Sequence, residues 1–252
     1  MTIQTLIFIL IVFPYTFILS LASILAGLVD GSGKVYHKIS QIWSEGCLRL
    51  LGIRLKIIGA ENYSPDGVYV VVSNHAGMAD IPAMLVAMNL NLRLIAKEEL
   101  GKIPVFGWSL RYGDFILIKR GHTKEALKSL LRAEEKLRDG KSVHLFADGT
   151  RAIDGSIQPF KRGAFLLASR TGLPVLPVTI LNSHLIAEKN SLKIHSGTIT
   201  LVIDKPIQLT NDDHRNADKL QQAAFQVIFN THKKHTQAAA NAYPASTSDS
   251  ES

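Results

Sequence analysis

The chain has 252 residues, enough for one substantial hydrophobic core with or without an appendage. It carries 28 Lys and Arg against 21 Asp and Glu, a formal net charge of +7. This excess favours anionic partners such as phosphorylated metabolites or membrane headgroups. The basic residues are scattered and form no aromatic-interleaved stripe, so we expect no nucleic-acid partner. With Cys47 as its only cysteine, the chain has no intrachain disulfide.

A long apolar segment opens the chain. No charged residue precedes Asp30, and residues 3–29 exceed the roughly 20 apolar residues that a membrane helix needs. Pro14 permits a kink in this helix. The start lacks the basic region of a secretory signal, and the apolar run is too long for one. The segment therefore either spans a membrane or forms the first half of a helical hairpin in one leaflet.

A second helix is predicted directly after this segment. Gly31-Ser32-Gly33 breaks the apolar run, and residues 34–51 place apolar side chains near helical spacing. This stretch also carries basic side chains, which is typical of an interfacial amphipathic helix. These charges follow the apolar run, which predicts a main body on the cytoplasmic side of the membrane. We expect residues 1–50 to form a membrane-associated helical unit.

From Ile53 onward the pattern becomes that of an α/β domain. Predicted strands cover 54–58, 68–72, 93–96, 115–118, 142–146 and 175–180, followed by a hairpin of 192–195 with 198–203. Predicted helices cover 124–138, 163–171 and 217–232. The alternation predicts an α/β fold with a mostly parallel or mixed central sheet flanked by helices. Residues 51–235 are expected to form this domain, and 236–252 a disordered tail.

The stretch Asn74-His75-Ala76-Gly77-Met78-Ala79-Asp80 follows the β-branched run at residues 68–72. The histidine therefore lies at the carboxyl end of a strand, and an aspartate follows five residues later. A carboxylate can hold Nδ1–H of an imidazole so that Nε2 faces a substrate hydroxyl and removes its proton. We interpret His75 and Asp80 as candidate catalytic residues and Asn74 as a supporting residue. An unrelated loop histidine and helix N-terminal aspartate would give the same pattern.

Further motifs follow in an order that resembles a known family. They are Ala96-Lys97-Glu98-Glu99-Leu100, Ile103-Pro104-Val105-Phe106-Gly107, Gly113 with Lys119-Arg120, Phe146-Ala147-Asp148-Gly149-Thr150-Arg151, residues 159–165 and residues 173–178. Together with the histidine motif they resemble the 1-acylglycerol-3-phosphate (lysophosphatidate) acyltransferases, bacterial type, of the glycerolipid acyltransferase superfamily. An apolar N-terminal pair of helices is also similar to this family.

The resemblance implies a membrane-bound enzyme of phospholipid biosynthesis. His75 would deprotonate the free hydroxyl of lysophosphatidate, and the oxygen would attack the thioester of acyl-CoA or acyl-carrier protein to give phosphatidate. Ser73 is discounted as a nucleophile, and backbone N–H groups near residues 74–77 are candidate donors to the oxyanion. We expect no cofactor beyond the acyl donor. The histidines show no metal-ligand spacing, so we expect no metal.

The resemblance also implies residues that bind the substrate. Arg151 is the leading phosphate ligand, Lys97 is a possible second, and Arg120 corresponds to an arginine that helps hold the acceptor's phosphate. Asp148, Gly149 and Thr150 complete the predicted substrate-binding set.

One motif departs from the family. The family usually has Phe-Pro-Glu-Gly-Thr-Arg, where this chain has Ala147 and Asp148. The lost methylene of Asp148 can misplace its carboxylate by more than an ångström, which puts the identity of the acceptor in doubt. The same chemistry on another lysophospholipid or a lyso-aminolipid is therefore an alternative. A non-catalytic lipid-binding membrane protein is another, whereas a hydrolase is disfavoured because the chain lacks Gly-x-Ser-x-Gly.

A bacterial inner-membrane location, with the catalytic domain in the cytoplasm, is expected.

Overall fold

The structure is a computed structural model that describes residues 3–118, 123–152, 154–186, 195–209 and 217–242. Side chains are described within these ranges except at residues 3–9, 123–127 and 238–242. The predicted phosphate ligand Arg120 lies outside the described residues.

Two helices precede the first strand: α1 (Ile3–Val29) and α2 (Lys34–Leu50). The strands are β1 (Ile53–Ile58), β2 (Val70–Ser73), β3 (Leu92–Lys97), β4 (Ile116–Ile118), β5 (Ser142–Phe146), β6 (Val175–Leu181) and β7 (Gly197–Ile203). The other α-helices are α3 (Asp80–Ala87), α4 (Phe106–Tyr112), α5 (Thr123–Arg138), α6 (Gly163–Thr171), α7 (Ser183–Ile186) and α8 (Ala217–Ala242). Short 3-10 helices occupy Ala60–Asn62 and Glu98–Lys102.

Across the described ranges the strands form one sheet in the order β1-β7-β6-β2-β5-β3-β4. Neighbouring strands are parallel except β6 and β7, which are antiparallel. The predicted mixed sheet flanked by helices is confirmed. β2 lies at the centre, parallel to β5 on one side and β6 on the other, so the carboxyl ends of these strands meet at one edge. Ligands of open α/β sheets bind at such an edge.

Both faces of β2 are covered. Successive side chains of a strand point to opposite faces, which is why the apolar run of β2 is almost continuous and not alternating. Val71 packs in a core with Met84 of α3 and Leu48 of α2. Val70 and Val72 belong to the opposite core, which also contains residues of α5, α6 and α8. The loop that follows β2 therefore leaves a strand that is rigid on both faces.

Two predictions for the C-terminal part differ from the structure in the residues that it describes. The hairpin of residues 192–195 with 198–203 does not form in the described part of the chain, because His195 is outside any strand and β7 pairs with β1 and β6. Residues 192–194 lie outside the described residues. The expected tail begins in a helix, since α8 continues to Ala242.

α1 and α2 form an antiparallel hairpin held by polar contacts. The Tyr15 hydroxyl donates to the carbonyl of Ile42 at 2.6 Å, and Trp43 Nε1 donates to Thr16 Oγ1 at 2.9 Å. The segment Leu10–Val29 is long and apolar enough to cross a membrane by length and composition. Its exposed apolar side chains are those of Leu10, Ile11, Phe13, Phe17, Ile18, Leu21, Leu25, Leu28 and Val29.

The hairpin is fixed to the α/β domain at its turn. The guanidinium of Arg93, a fully buried residue of β3, donates to the carbonyl of Gly33 at 3.0 Å and lies over the ring of Tyr36. Tyr36 in turn packs edge-on against Phe115, just before β4. A buried charge is costly unless its hydrogen bonds are made, so this contact ties α2 tightly to the sheet.

Gly113 gives a test of this junction. Its φ is −79°, so the backbone suits any residue, but an added methyl group would overlap the ring of Tyr36. We expect Gly113→Ala to lower the free energy of unfolding by about 1–3 kcal/mol because the site is overpacked. Gly163→Ala is the control, since nothing lies within 4 Å of its added methyl group. Denaturant unfolding of both variants in detergent measures the effect, and equal stabilities would contradict it.

Candidate active site

His75 and Asp80 meet as the sequence predicted. His75 leaves the end of β2, and Asp80 is the first residue of α3. His75 Nδ1 lies 2.7 Å from Asp80 Oδ2. Because Nδ1 faces the carboxylate, Nε2 is the nitrogen left for a substrate proton. Asp80 is fully buried, whereas the imidazole retains 10% exposure.

The same oxygen of Asp80 organises the whole loop. Asp80 Oδ2 also accepts hydrogen bonds from the backbone N–H groups of Ala76 at 2.8 Å and Gly77 at 2.9 Å. A buried carboxylate needs such donors to offset its lost hydration. The loop from strand to helix is thus wrapped around one side chain, and the imidazole orientation is fixed with it.

These contacts occupy the N–H groups of residues 75–77, which are three of the four expected candidate donors to an oxyanion. The N–H groups of Ala76 and Gly77 donate to Asp80, and that of His75 donates to Asp148. All are committed to carboxylates of the chain itself. They hold the loop around His75 in place and are not free donors for a developing negative charge.

The imidazole of His75 rests on the ring of Phe146. Their ring centroids are 3.9 Å apart and the planes are inclined by 17°. Phe146 is the last residue of β5, directly beside Ser73 in the register of the sheet. The stacked ring covers one face of the imidazole, so the ring is fixed by packing as well as by Asp80.

Asn74 ties the loop to the neighbouring strand β6. Its side-chain Nδ2 donates to the carbonyl of Ile180 at 2.9 Å, and its Oδ1 accepts from the N–H of Ile180 at 2.8 Å. The buried amide therefore acts as one further rung of the ladder where β2 ends. Gly77 continues this contact, because a side chain there would meet the carbonyl of Ser183 after β6. Asn74 thus supports the loop through hydrogen bonds to backbone.

The turn after β5 clamps the backbone of His75. Asp148 Oδ2 accepts the N–H of His75 at 2.8 Å, and the N–H of Ala152 donates to the carbonyl of His75 at 2.9 Å. Gly149 between them has φ +69°, which favours glycine, and the side chain of Lys161 passes over it. Asp148 therefore reaches His75 although its side chain is one methylene shorter than the glutamate usual in the family. The turn contacts the backbone of His75 and not its imidazole.

The Asp148 carboxyl group is buried beside Asp80. Burial first, and the nearby charge of Asp80 as well, raise the pKa of Asp148 to about 6, although hydrogen bonding from His75 opposes this shift. Its Oδ1 has no hydrogen-bond partner among the described residues. A carboxyl group that titrates so close to neutrality next to a histidine is typical of a functional site.

Other predicted residues lie at the same edge of the sheet, at different distances from His75. Thr150 and Arg151 follow Asp148 in the same turn, with Thr150 exposed and Arg151 partly buried. Lys97 is exposed at the end of β3. β5 separates β3 from β2, so Lys97 stands about 10 Å along the edge from His75 by strand spacing alone.

Three residues close to the base were missed by the sequence analysis as functional candidates. Phe146 is stacked on His75, and behind it the buried His144 contacts Ser73, with 2.9 Å between His144 Nε2 and Ser73 Oγ. Alternate spacing places His144 and Phe146 on the same face of β5, which is a signal the sequence does contain. Their position beside β2 depends on the register of strands that are far apart in the chain.

No group of three or more His, Cys, Asp or Glu side chains within the described part of the chain has the arrangement of a metal site. The histidine and carboxylates at the sheet edge instead bond to each other and to backbone amides. This arrangement can hold an imidazole in one orientation and accept a proton at Nε2, which is the equipment of a general base.

Comparisons with known proteins place this site in a family. The model of the family described as Acyltransferase matches residues 54–181, just over half of the chain. The chain belongs to the Acyltransferase family. The matched region contains the histidine motif, the turn at Asp148 and strands β2 to β6, so the family resemblance predicted from the motifs is confirmed.

Relatives within the Acyltransferase family cover most of the chain. It is 34% identical over 190 residues to a chloroplastic 1-acyl-sn-glycerol-3-phosphate acyltransferase of Brassica napus, covering 73% of this chain and 55% of the relative. It is 33% identical over 168 residues to 1-acyl-sn-glycerol-3-phosphate acyltransferase alpha of Homo sapiens, covering 65% and 59%. The chain thus spans little more than half the length of these relatives.

A solved member of the Acyltransferase family has the same fold. The crystal structure of the 1-acyl-sn-glycerophosphate (LPA) acyltransferase PlsC from Thermotoga maritima superposes with a TM-score of 0.78. The sequences are 26% identical, and the match covers 92% of this chain and 95% of the other. The fold described above is therefore shared over nearly the whole chain.

The raised pKa of Asp148 predicts a pH dependence of stability. Between its ordinary value of 3.8 and the folded value of about 6, the folded chain binds more protons than the unfolded chain. The stability that Asp148 contributes is therefore fully present below pH 3.8, and it is lost as the pH rises through about 6. We expect Asp148→Asn, which keeps an acceptor for the His75 N–H, to lack this loss of roughly 1–3 kcal/mol. Unfolding free energies of both proteins at pH 4 to 7 test this, and parallel curves would contradict it.

Proposed function

We propose that the protein is a 1-acylglycerol-3-phosphate acyltransferase, which moves a fatty acyl group from a thioester to the free hydroxyl of lysophosphatidate and forms phosphatidate. The contact of His75 Nδ1 with the buried carboxylate of Asp80, at 2.7 Å, is the observation that carries this proposal. A scaffold that only binds lipid gains nothing from an oriented base. The names of its relatives and of the solved structure supply the substrate class.

In the proposed reaction His75 Nε2 accepts the proton of the lipid hydroxyl as its oxygen bonds to the thioester carbonyl carbon. The negative charge of Asp80 stabilises the imidazolium that forms. Collapse of the tetrahedral intermediate re-forms the carbonyl, breaks the carbon–sulfur bond and releases the thiol, which takes the proton from His75. The products are a diacyl phospholipid and the free thiol of CoA or acyl-carrier protein. Each bond change is balanced, so we propose no cofactor besides the acyl donor.

Transfer is proposed to be direct, without an acyl-enzyme. Ser73 is the hydroxyl closest in sequence to His75, but it is fully buried and its Oγ bonds to His144 and to the carbonyl of Asn74. A nucleophile must reach the substrate carbonyl and be activated by the base. Ser73 meets neither requirement, so the lipid hydroxyl attacks.

Cationic side chains at the sheet edge are proposed to bind the phosphate of lysophosphatidate. Arg151 follows the turn that clamps His75, and it can bind phosphate through paired hydrogen bonds. Lys97 at the end of β3 and Arg120 are the further proposed ligands. Asp148, Gly149 and Thr150 form the turn that places Arg151. A phosphate held there would leave the glycerol hydroxyl to reach Nε2 of His75.

The first experiment measures acyl transfer by the purified protein from acyl-CoA and acyl-carrier protein to a panel of lysolipids. Transfer to lysophosphatidate is expected, and His75→Ala should lower kcat by at least about 10³-fold because general-base catalysis and orientation are both lost. Asp80→Asn should lower it about 10²–10⁴-fold, because an amide does not hold the same tautomer or charge.

A folded control separates chemistry from stability. His195→Ala removes an exposed imidazole outside the site and should leave kcat unchanged. Full turnover by a folded His75→Ala protein would refute the mechanism. If transfer depends on His75 but occurs only to a different lysolipid, the mechanism would stand and the proposed substrate would be wrong. Asp148 would then be the first residue to examine. Free fatty acid without lipid product would indicate hydrolysis.

We further propose that α1 lies in one leaflet of the bacterial inner membrane and does not cross it. α2 runs alongside α1, as the contacts of Tyr15 and Thr16 require, and it exposes Lys38, Glu45 and Arg49. If α1 crossed the bilayer, these charges would enter the hydrocarbon, which costs several kcal/mol each at the centre. An α1 that lies in the leaflet buries its apolar face and keeps α2 at the headgroups, with the catalytic domain on the cytoplasmic side.

Site-specific labelling tests this placement. In a Cys47→Ala background, a cysteine replacing Gln4 near the start of α1 is treated with an impermeant maleimide in sealed vesicles of either orientation. No labelling of this cysteine from the periplasmic side is expected, because both ends of an in-leaflet helix lie on one side. A cysteine replacing His195 is the control for the cytoplasmic domain. Periplasmic labelling of the α1 cysteine would show that the helix spans.

A further inference from the structure

Behind the base lies a pair of buried polar residues that the proposed reaction does not use. Ser73 ends β2 and His144 is in the middle of β5, the strand beside it. Both are essentially inaccessible to solvent, and 2.9 Å separates Ser73 Oγ from His144 Nε2. Polar groups in the core of a sheet are costly to bury unless they are hydrogen-bonded. The presence of two polar side chains at these core positions therefore needs an explanation.

The pair is bonded to the backbone of the base. Ser73 Oγ donates its proton to the carbonyl of Asn74 at 3.1 Å, so His144 must carry a proton on Nε2 and donate it to Ser73. That carbonyl belongs to the peptide that joins Asn74 to His75. The N–H of this peptide donates to Asp148 at 2.8 Å. Side chains therefore hold both polar groups of the peptide that precedes His75.

The donors in this chain all point the same way. The order is His144 Nε2–H to Ser73, Ser73 O–H to the carbonyl of Asn74, and His75 N–H to the carboxylate of Asp148. Successive hydrogen bonds in one direction polarise and strengthen one another, and a carboxylate at the end adds to the effect. Burial, together with the charge of His75, lowers the pKa of His144 to about 3, which keeps its imidazole neutral near pH 7.

A second contact leads from His144 to the imidazole of the base. The ring of His144 packs edge-on against Phe146, with centroids 4.6 Å apart and planes inclined by 79°. Phe146 is in turn stacked on the imidazole of His75. His144 thus acts on the backbone of His75 through Ser73 and on its ring through Phe146.

We propose that His144 and Ser73 are positioning residues for the base, which hold the Asn74–His75 peptide and support the Phe146 ring so that Nε2 of His75 meets the substrate hydroxyl. This inference rests on the proposed role of His75 as general base. Neither residue reaches the substrate, so both act on the rate of the chemical step and not on binding.

The first test compares His144→Phe, which removes the donor and keeps an aromatic ring, with His144→Gln, which keeps an N–H donor. We expect His144→Phe to lower kcat about 10-fold with KM unchanged, because a small displacement of a catalytic group is costly. His144→Gln should recover most of this loss. A KM effect alone, or equal losses in the two variants, would overturn the role of the hydrogen bond.

Ser73→Ala provides an independent variant for the same chain. It should lower kcat by a similar factor. The double variant with His144→Phe should have about the same kcat as either single variant, since both substitutions break the same chain of hydrogen bonds. Multiplying losses would show that the residues act separately and would overturn the proposal. If His144→Phe fails to fold, Ser73→Ala with unchanged kcat is equally decisive against it.

Matched controls come from α2, away from the site. His37→Phe removes another buried imidazole, and Ser44→Ala removes another buried hydroxyl. Both should alter thermal stability without changing kcat of the folded protein. A loss of kcat in these controls equal to that in the His144 and Ser73 variants would mean that the effect is general destabilisation.

A readout that needs no substrate separates this inference from the proposed function. In protein with ¹⁵N-labelled histidine, the Nδ1–H proton shared by His75 and Asp80 should give a strongly deshielded NMR signal. It should shift or broaden in His144→Phe and Ser73→Ala but not in His37→Phe. Wild-type protein without acyl transfer would defeat the proposed function alone, whereas an unchanged signal with unchanged kcat would defeat the positioning role.

Discussion

The site depends on one buried carboxylate oxygen, Oδ2 of Asp80, that accepts hydrogen bonds from the imidazole of His75 and from the backbone of Ala76 and Gly77. The same contact that orients the proposed base therefore closes the loop from β2 to α3. Asp80 is also the first residue of α3, where a negative charge is favoured by the helix dipole. Removing this carboxylate would leave buried donors unpaired, so catalytic geometry and local stability cannot be separated at this position.

The parallel sheet determines which other residues can act on the base. β2 is central, so the turns after β5 and β6 reach the loop from either side. The β5 turn brings Asp148 to the His75 N–H, while β6 supplies the backbone that Asn74 bonds. The base is thus held through side chain, ring face and backbone by elements far apart in the chain. Such over-determination is what keeps a catalytic group within a fraction of an ångström of its working position.

Local patterns predicted most of this arrangement, and long-range ones were missed. The His75–Asp80 contact joins two residues only five positions apart, at a junction of strand and helix, so its spacing is visible in the sequence. The pairing of Ser73 with His144 requires the register of β2 on β5, which no local pattern contains. The pairing of β7 is long-range too, because this strand makes its hydrogen bonds with β1 and β6 and a hairpin was expected instead. The sequence also does not show that carboxylates accept the N–H groups of residues 75–77, which were expected to be candidate donors to an oxyanion.

Burial shifts the two titratable groups beside the Asn74–His75 peptide in opposite directions and for one reason. It raises the pKa of Asp148 to about 6 and lowers that of His144 to about 3, because a low-dielectric interior disfavours the charged form of each. Near pH 7 His144 is therefore a neutral donor while Asp148 is ionised, which is the combination that a chain of donors ending on a carboxylate needs. As pH falls through 6, Asp148 takes up a proton and becomes a weaker acceptor for the His75 N–H. The short aspartate thus keeps its contact with the base but makes the strength of that contact depend on pH.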